Sequence, residues 1–135
     1  MKTAKYLAGP LAVVLSVMAS ATVAVQEQTA SDFYMSYRKA LEKAQSVEEI
    51  MPLMAKATRA KIEGTAKEDR ASMFEFVKEM SKMSSVKVVK ETKTADGVTL
   101  TVEGVQDKES RVGQIQIVKE DGAWKMGRES WSSKS

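Results

Sequence analysis

Cysteine and histidine are missing from the 135 residues, and so is asparagine. Without cysteine there is no thiol nucleophile, no disulfide framework and no Cys-anchored zinc or iron–sulfur site. Without histidine there is no common serine triad and no imidazole metal cluster. Without asparagine there is no N-glycosylation sequon. Proline occurs twice and aromatics make up 6% of the chain. Basic side chains never run longer than two in a row, as at Arg38-Lys39. Nucleic-acid binding needs a concentrated basic face with donors for phosphate, and the sequence supplies none, so no nucleic-acid partner is expected.

Only one stretch is continuously apolar, and it stands at the start. Lys2 and Lys5 precede it, and Leu7 to Met18 is apolar except for Gly9, Pro10 and Ser16. Ala19-Ser20-Ala21 and Thr22-Val23-Ala24 are both small-x-small cleavage patterns. This is the layout of a secretory signal peptide over residues 1–21, with a second cleavage point after residue 24. The apolar core falls short of the roughly 20 residues that cross a bilayer, so no stable membrane span is expected after cleavage. The missing cysteine excludes a lipoprotein. The expected location is periplasmic or extracellular. The only charges in residues 1–21 are Lys2 and Lys5, so cleavage leaves a nearly neutral chain of single-domain size.

Beyond a lead-in over residues 22–30, the spacing predicts helices first. Phe33, Tyr37, Leu41 and Ala44 share one helical face over Ser31 to Gln45, with Arg38 and Lys39 largely opposite. Ser46-Val-Glu-Glu49 has the form of a capping box, and Pro52 should kink the segment behind it, which runs to Glu63 before Gly64. Thr65-Ala-Lys-Glu68 is another such box. The helix it opens carries Met73, Phe76, Val77, Met80 and Met83 as an expected core stripe. The period then changes from 3.6 to 2. Val98, Leu100 and Val102 alternate with polar residues, as do Ile115 and Ile117, and Asp121-Gly122 is a two-residue hairpin signal. Helices followed by strands with short connections give an α+β domain over residues 31–131. Its three helical segments pack on a curved four-stranded antiparallel sheet, and a frayed tail covers 132–135.

The run Phe33-Tyr34-Met35-Ser36-Tyr37-Arg38-Lys39-Ala40-Leu41 looks like the first helix of the small exported nuclear-transport-factor-2-like domains, whose cone-shaped fold is also cystatin-like. Ser46 to Met54 looks like their short kinked second helix. Val118 to Met126, closing with Glu129-Ser130-Trp131, resembles their final hairpin. The resemblance implies the fold over most of residues 31–131. It leaves activity open, because the superfamily holds isomerases, dehydratases and cyclases beside modules with no chemistry. Enzymatic members place Asp, His or Tyr side chains inside the cone. No catalytic carboxylate aligns here, so no catalytic residue is assigned.

Met51-x-x-Met54 and Met80-x-x-Met83 have a spacing that soft metals such as Cu(I) accept. Methionines sharing a stripe with Phe76 and Val77 read more simply as core, so no metal site and no cofactor are expected. Asp32, Asp69, Asp107, Glu103 and Glu109 sit at helix starts, turns or among lysines and do not suggest an acid–base pair. Tyr34, Tyr37 and Trp131 are expected at the mouth of a ligand pocket, since aromatics with one polar tip suit such sites. Trp124 is expected in the core. The reading is an exported, non-enzymatic domain binding a small apolar ligand, a peptide or an envelope protein. The alternatives are an isomerase or lyase using a buried carboxylate and a tyrosine, and a structural protein forming homodimers through the sheet.

Overall fold

A computed structural model describes residues 28–134. The expected leader and most of the lead-in lie outside the described residues. Helix α1 spans Ala30–Lys43, and its amide end is closed by Thr29, whose hydroxyl accepts from the Asp32 amide at 3.0 Å. Its buried face carries Phe33, Tyr34, Tyr37, Arg38 and Leu41. Arg38 is thus on the inner face rather than opposite it. Helix α2 is a single turn, Val47–Ile50, and a 3-10 turn over Met51–Leu53 holds Pro52. Helix α3 spans Lys56–Glu63 and α4 spans Lys67–Ser81.

Among the described residues, four α-helices therefore replace the three expected segments. The extra break falls after the proline, at Met54 and Ala55, and has a tertiary cause. Met54 forms a parallel bridge to Met126, and the Ala55 amide donates to the Met126 carbonyl at 2.9 Å. That pairing holds both residues extended and prevents α3 from starting at Pro52.

Strands β1 (Ser84–Lys93), β2 (Gly97–Gln106), β3 (Glu109–Glu120) and β4 (Ala123–Ser133) form one antiparallel sheet in chain order. The α+β class holds, and the sheet is an open meander. Val98, Leu100 and Val102 of β2 and Ile115 and Ile117 of β3 are buried on one face with Phe33, Tyr34, Leu41, Ile50 and Ile62 from the helices. On the opposite face Thr101 pairs with Gln114 and Thr99 with Gln116, which leaves that side polar. In β4, Gln116 pairs with Arg128 and Ile117 with Met126, so Gly127 is an extra residue. Such a bulge reverses the alternation of a strand. Met126 points inward before it, and Glu129 and Trp131 oppose the buried Ile115 and Gly113 after it. Strand β4 continues through Ser133, and the Lys134 amide donates to the Ser110 carbonyl, so pairing extends past Trp131.

The α4 stripe differs from expectation at Phe76, and Met83 lies beyond the helix, which ends at Ser81. Phe74 is buried, whereas Phe76 is 66% exposed. The covered arc runs through Arg70, Met73, Phe74 and Val77, and Phe76 lies round the helix from it.

Candidate functional site

Two places on the buried side of the fold bring functional side chains together. The first lies between α1 and β4. Tyr34 is fully buried, and its hydroxyl donates to Glu129 Oε2 at 3.0 Å. Trp131 Nε1 donates to the same oxygen at 2.8 Å. Arg38, 8% exposed, donates from Nη1 to the Tyr34 hydroxyl at 3.3 Å. Its Nη2 reaches the carbonyls of Met80 at 3.3 Å, Ser81 at 3.4 Å and Met83 at 3.3 Å. The Met80 and Ser81 carbonyls close α4 and the Met83 carbonyl follows it, so a guanidinium there complements the helix dipole; the Met80 carbonyl also accepts from the Met83 amide at 3.3 Å. The result is a polar relay from α4 through Arg38 and Tyr34 to Glu129, with Trp131 closing it from the sheet.

The relay fixes protonation. Burial pushes the Tyr34 hydroxyl well above the ordinary tyrosine range; the Glu129 charge adds to this, and Arg38 opposes it. Burial and then Glu129 raise Tyr37 in the same sense. Both phenols are therefore neutral at physiological pH rather than bases, and Tyr34 acts as a donor.

Trp131 is positioned by an absence of side chain. Its indole lies over Gly113 of β3, where a Cβ would come within 2.8 Å of the ring. Any larger residue at 113 would push the indole away from Glu129.

The second place is a cleft of about 710 Å³ between α1 and the β3–β4 hairpin. Phe33, Tyr37 and Ala40 form its α1 wall, Leu53 its floor, and Ala123 and Trp124 the facing wall. Trp124 is tied at its edge, with Nε1 donating to the Gln28 carbonyl at 2.8 Å. Lys119 Nζ lies 4.6 Å from the centre of the Trp124 ring, and Lys125 Nζ donates to the Pro52 carbonyl at 2.7 Å. Among the described residues, no carboxylate lines this cleft.

A larger open groove of about 900 Å³ follows α4 past Val47, Phe74 and Phe76. It is crossed by structural cations. Lys78 Nζ caps α1 by donating to the carbonyls of Leu41, Glu42 and Ala44, and Arg70 Nε donates to the Thr65 carbonyl at 2.9 Å. A third, small cavity of about 260 Å³ lies at the far end of the sheet.

Of the three expected pocket residues, the structure joins Tyr34 and Trp131 through Glu129, inside the domain, and places Tyr37 in the cleft wall. Trp124, expected in the core, is half-buried and forms the opposite wall. Glu129 and Arg38 were not singled out from the sequence. Their signals exist only in combination: Arg38 follows the face of Tyr34 by four residues, and Glu129 turns inward only because of the Gly127 bulge. The carboxylates weighed from the sequence have other contacts or positions. Glu103 pairs with Lys134 at 2.9 Å, Glu109 with Arg111 at 3.6 Å, and Asp107 sits in a turn with φ +51°. Among the described residues, no group of three or more acidic side chains could hold a metal ion, and no helix is long and apolar enough to cross a membrane. Met54, Met83 and Met126 are buried.

No family model, curated protein or solved structure matches the chain.

Proposed function

We propose that this is an exported, non-enzymatic binding domain of the nuclear-transport-factor-2-like type, which takes a small apolar ligand in the cleft between α1 and the β3–β4 hairpin. The observation that carries the reading is the contrast between the two places described above. The cleft is roomy, walled by Phe33, Tyr37, Leu53 and Trp124, and lined by no carboxylate among the described residues. Pockets of several hundred Å³ with aromatic walls and few polar groups suit small apolar molecules. The internal carboxylate, in contrast, is committed: one oxygen of Glu129 already accepts from Tyr34 and Trp131.

A second reading, an isomerase or lyase using Glu129 with Tyr34, is supported by their 3.0 Å contact. It is weaker because neither Tyr34 nor Glu129 lines any of the three cavities described. General acid–base work needs the group within hydrogen-bond reach of a bound substrate.

Trp124 makes the test direct. Titrating the protein with the neutral fluorophore N-phenyl-1-naphthylamine should give saturable energy transfer from Trp124, read in a Trp131→Phe background. Ala40→Phe fills the cleft from the α1 side and should weaken that binding tenfold or more. Non-saturable uptake, or an Ala40→Phe variant that folds and binds like the parent, would refute the cleft as the ligand site.

A further inference from the structure

The sheet face turned away from the helices has a chemistry that neither the relay nor the cleft uses, and strand register places it residue by residue. One row across the four strands is Lys90, Thr101, Gln114 and Ser130. The next is Thr92, Thr99, Gln116 and Arg128. Lys90 belongs to this face because of a bulge. Val88 pairs with Val102 and Lys90 with Thr101, so Val89 is an extra residue and reverses the alternation of β1. Between the two cations, every side chain in these rows is a hydroxyl or an amide. Lys90, Arg128, Gln114, Gln116 and Ser130 are all exposed. The charge is one-sided. Lys90 and Arg128 form no ion pair among the described residues. The carboxylates of the face are already engaged: Glu103, opposite Lys87, accepts from Lys134 at 2.9 Å, and Glu120, near the hairpin, accepts from the Lys56 amide at 3.1 Å.

We propose that this face docks an extended acidic polysaccharide, a chain of hydroxyl-bearing sugars that carries carboxylates. Hydroxyls and amides both donate and accept, so the grid of Thr, Ser and Gln side chains matches the hydroxyls of a sugar chain. Cations at either edge hold its carboxylates, and a guanidinium does so with parallel donors. Neighbouring strands lie about 4.8 Å apart, which puts Lys90 on β1 and Arg128 on β4 roughly 15 Å from each other. One extended chain laid across the strands reaches both cations with separate sugar units. Other occupants fit less well. The centre of a protein interface is apolar and aromatic, whereas the centre here is Thr and Gln. Single-stranded nucleic acid stacks its bases on aromatic rings, and among the described residues no aromatic side chain lies on this face. A second copy placed face to face would bring the same cations together across the symmetry axis. The site is independent of the apolar cleft.

The test uses oligogalacturonate, an acidic sugar chain, with its carboxyl-reduced neutral form as the control. Amide chemical shifts of Thr99, Thr101, Gln114 and Gln116 should move saturably with the acidic chain and stay in place with the neutral one. Lys90→Gln and Arg128→Gln change exposed side chains. Each should weaken binding several-fold and lower the slope of log affinity against log salt by about one, the share of one released counterion. Either variant decides the question if the other does not fold. Polyglutamate of matched charge should bind more weakly, because it brings no hydroxyls to the grid. Shifts that stay linear with concentration overturn the proposal, as does equal binding of the neutral chain, of polyglutamate or of single-stranded DNA. So does unchanged affinity in a folded variant. A dimer in sedimentation whose interface covers Gln114 and Gln116 assigns the face to a second copy and overturns it as well.

Discussion

Single backbone positions in this fold are decided by the sign of φ. Asp121 and Gly122 have φ of +52° and +80°, the paired left-handed geometry of a type I′ hairpin turn. A Cβ on Gly122 would meet nothing within 4 Å, so a substitution there tests the backbone alone. Gly122→Val should cost about 1 kcal/mol or more, read from urea unfolding, because a β-branched residue is strained at positive φ. The β2–β3 turn adopts the same geometry with less suitable residues: Asp107 and Lys108 have φ of +51° and +67°. Lysine gains nothing there that glycine lacks. Lys108→Gly should therefore stabilise the protein by about 0.5 kcal/mol, the relief of left-handed strain less the added chain entropy of glycine. A loss of stability in that variant would show that the Lys108 side chain makes a contact outweighing its strain.

At the scale of elements, caps and bulges explain where the sequence was legible and where it was not. The periodicity of α1 was readable because Phe33, Tyr37, Leu41 and Ala44 repeat cleanly, and all four are buried. The alternation of β2 and β3 was readable for the same reason. Capping boxes were less dependable, because a side chain can cap two different helices. Thr65 donates its hydroxyl to the Lys61 carbonyl, closing α3 behind it, and leaves Ala66 as the uncapped start of α4. Ala66→Ser should supply the missing acceptor and raise stability by about 1 kcal/mol, visible as a higher melting temperature. Around Ser46, Glu49 reaches back to the Gln45 amide at 2.8 Å, while Ser46 does not cap α2. The relay was illegible for a stronger reason. Simple alternation from Trp124 and Met126 would aim Arg128 inward, and only the insertion of Gly127 brings Glu129 and Trp131 to Tyr34. A bulge is set by pairing with the neighbouring strand, and the local pattern of hydrophobicity does not encode it.

Across the whole molecule, the two buried tyrosines tie stability to alkaline pH. Their hydroxyls are raised in the folded state, chiefly by burial. Below about pH 10 both folded and unfolded chains keep these protons, and the contribution is fully present. Above that, the unfolded chain ionises first, and stability should fall by about 1.4 kcal/mol per pH unit for each tyrosine until the folded hydroxyls ionise too. Urea unfolding between pH 9 and 11.5 reads this slope. Tyr37→Phe should make it shallower by one tyrosine's share while leaving the relay in place, and an unchanged slope would mean that other groups govern the alkaline limit.

The Tyr34–Glu129 bond also joins residues 95 positions apart. Helix α1 is made before the sheet, and its buried hydroxyl has its carboxylate partner in β4, the fourth of the strands that follow it. A nascent chain lacking Glu129 would have to bury Tyr34 without that partner, which is costly. Strand β4 therefore acts as a timing signal: the native state of this domain becomes attainable only once β4 itself has been made.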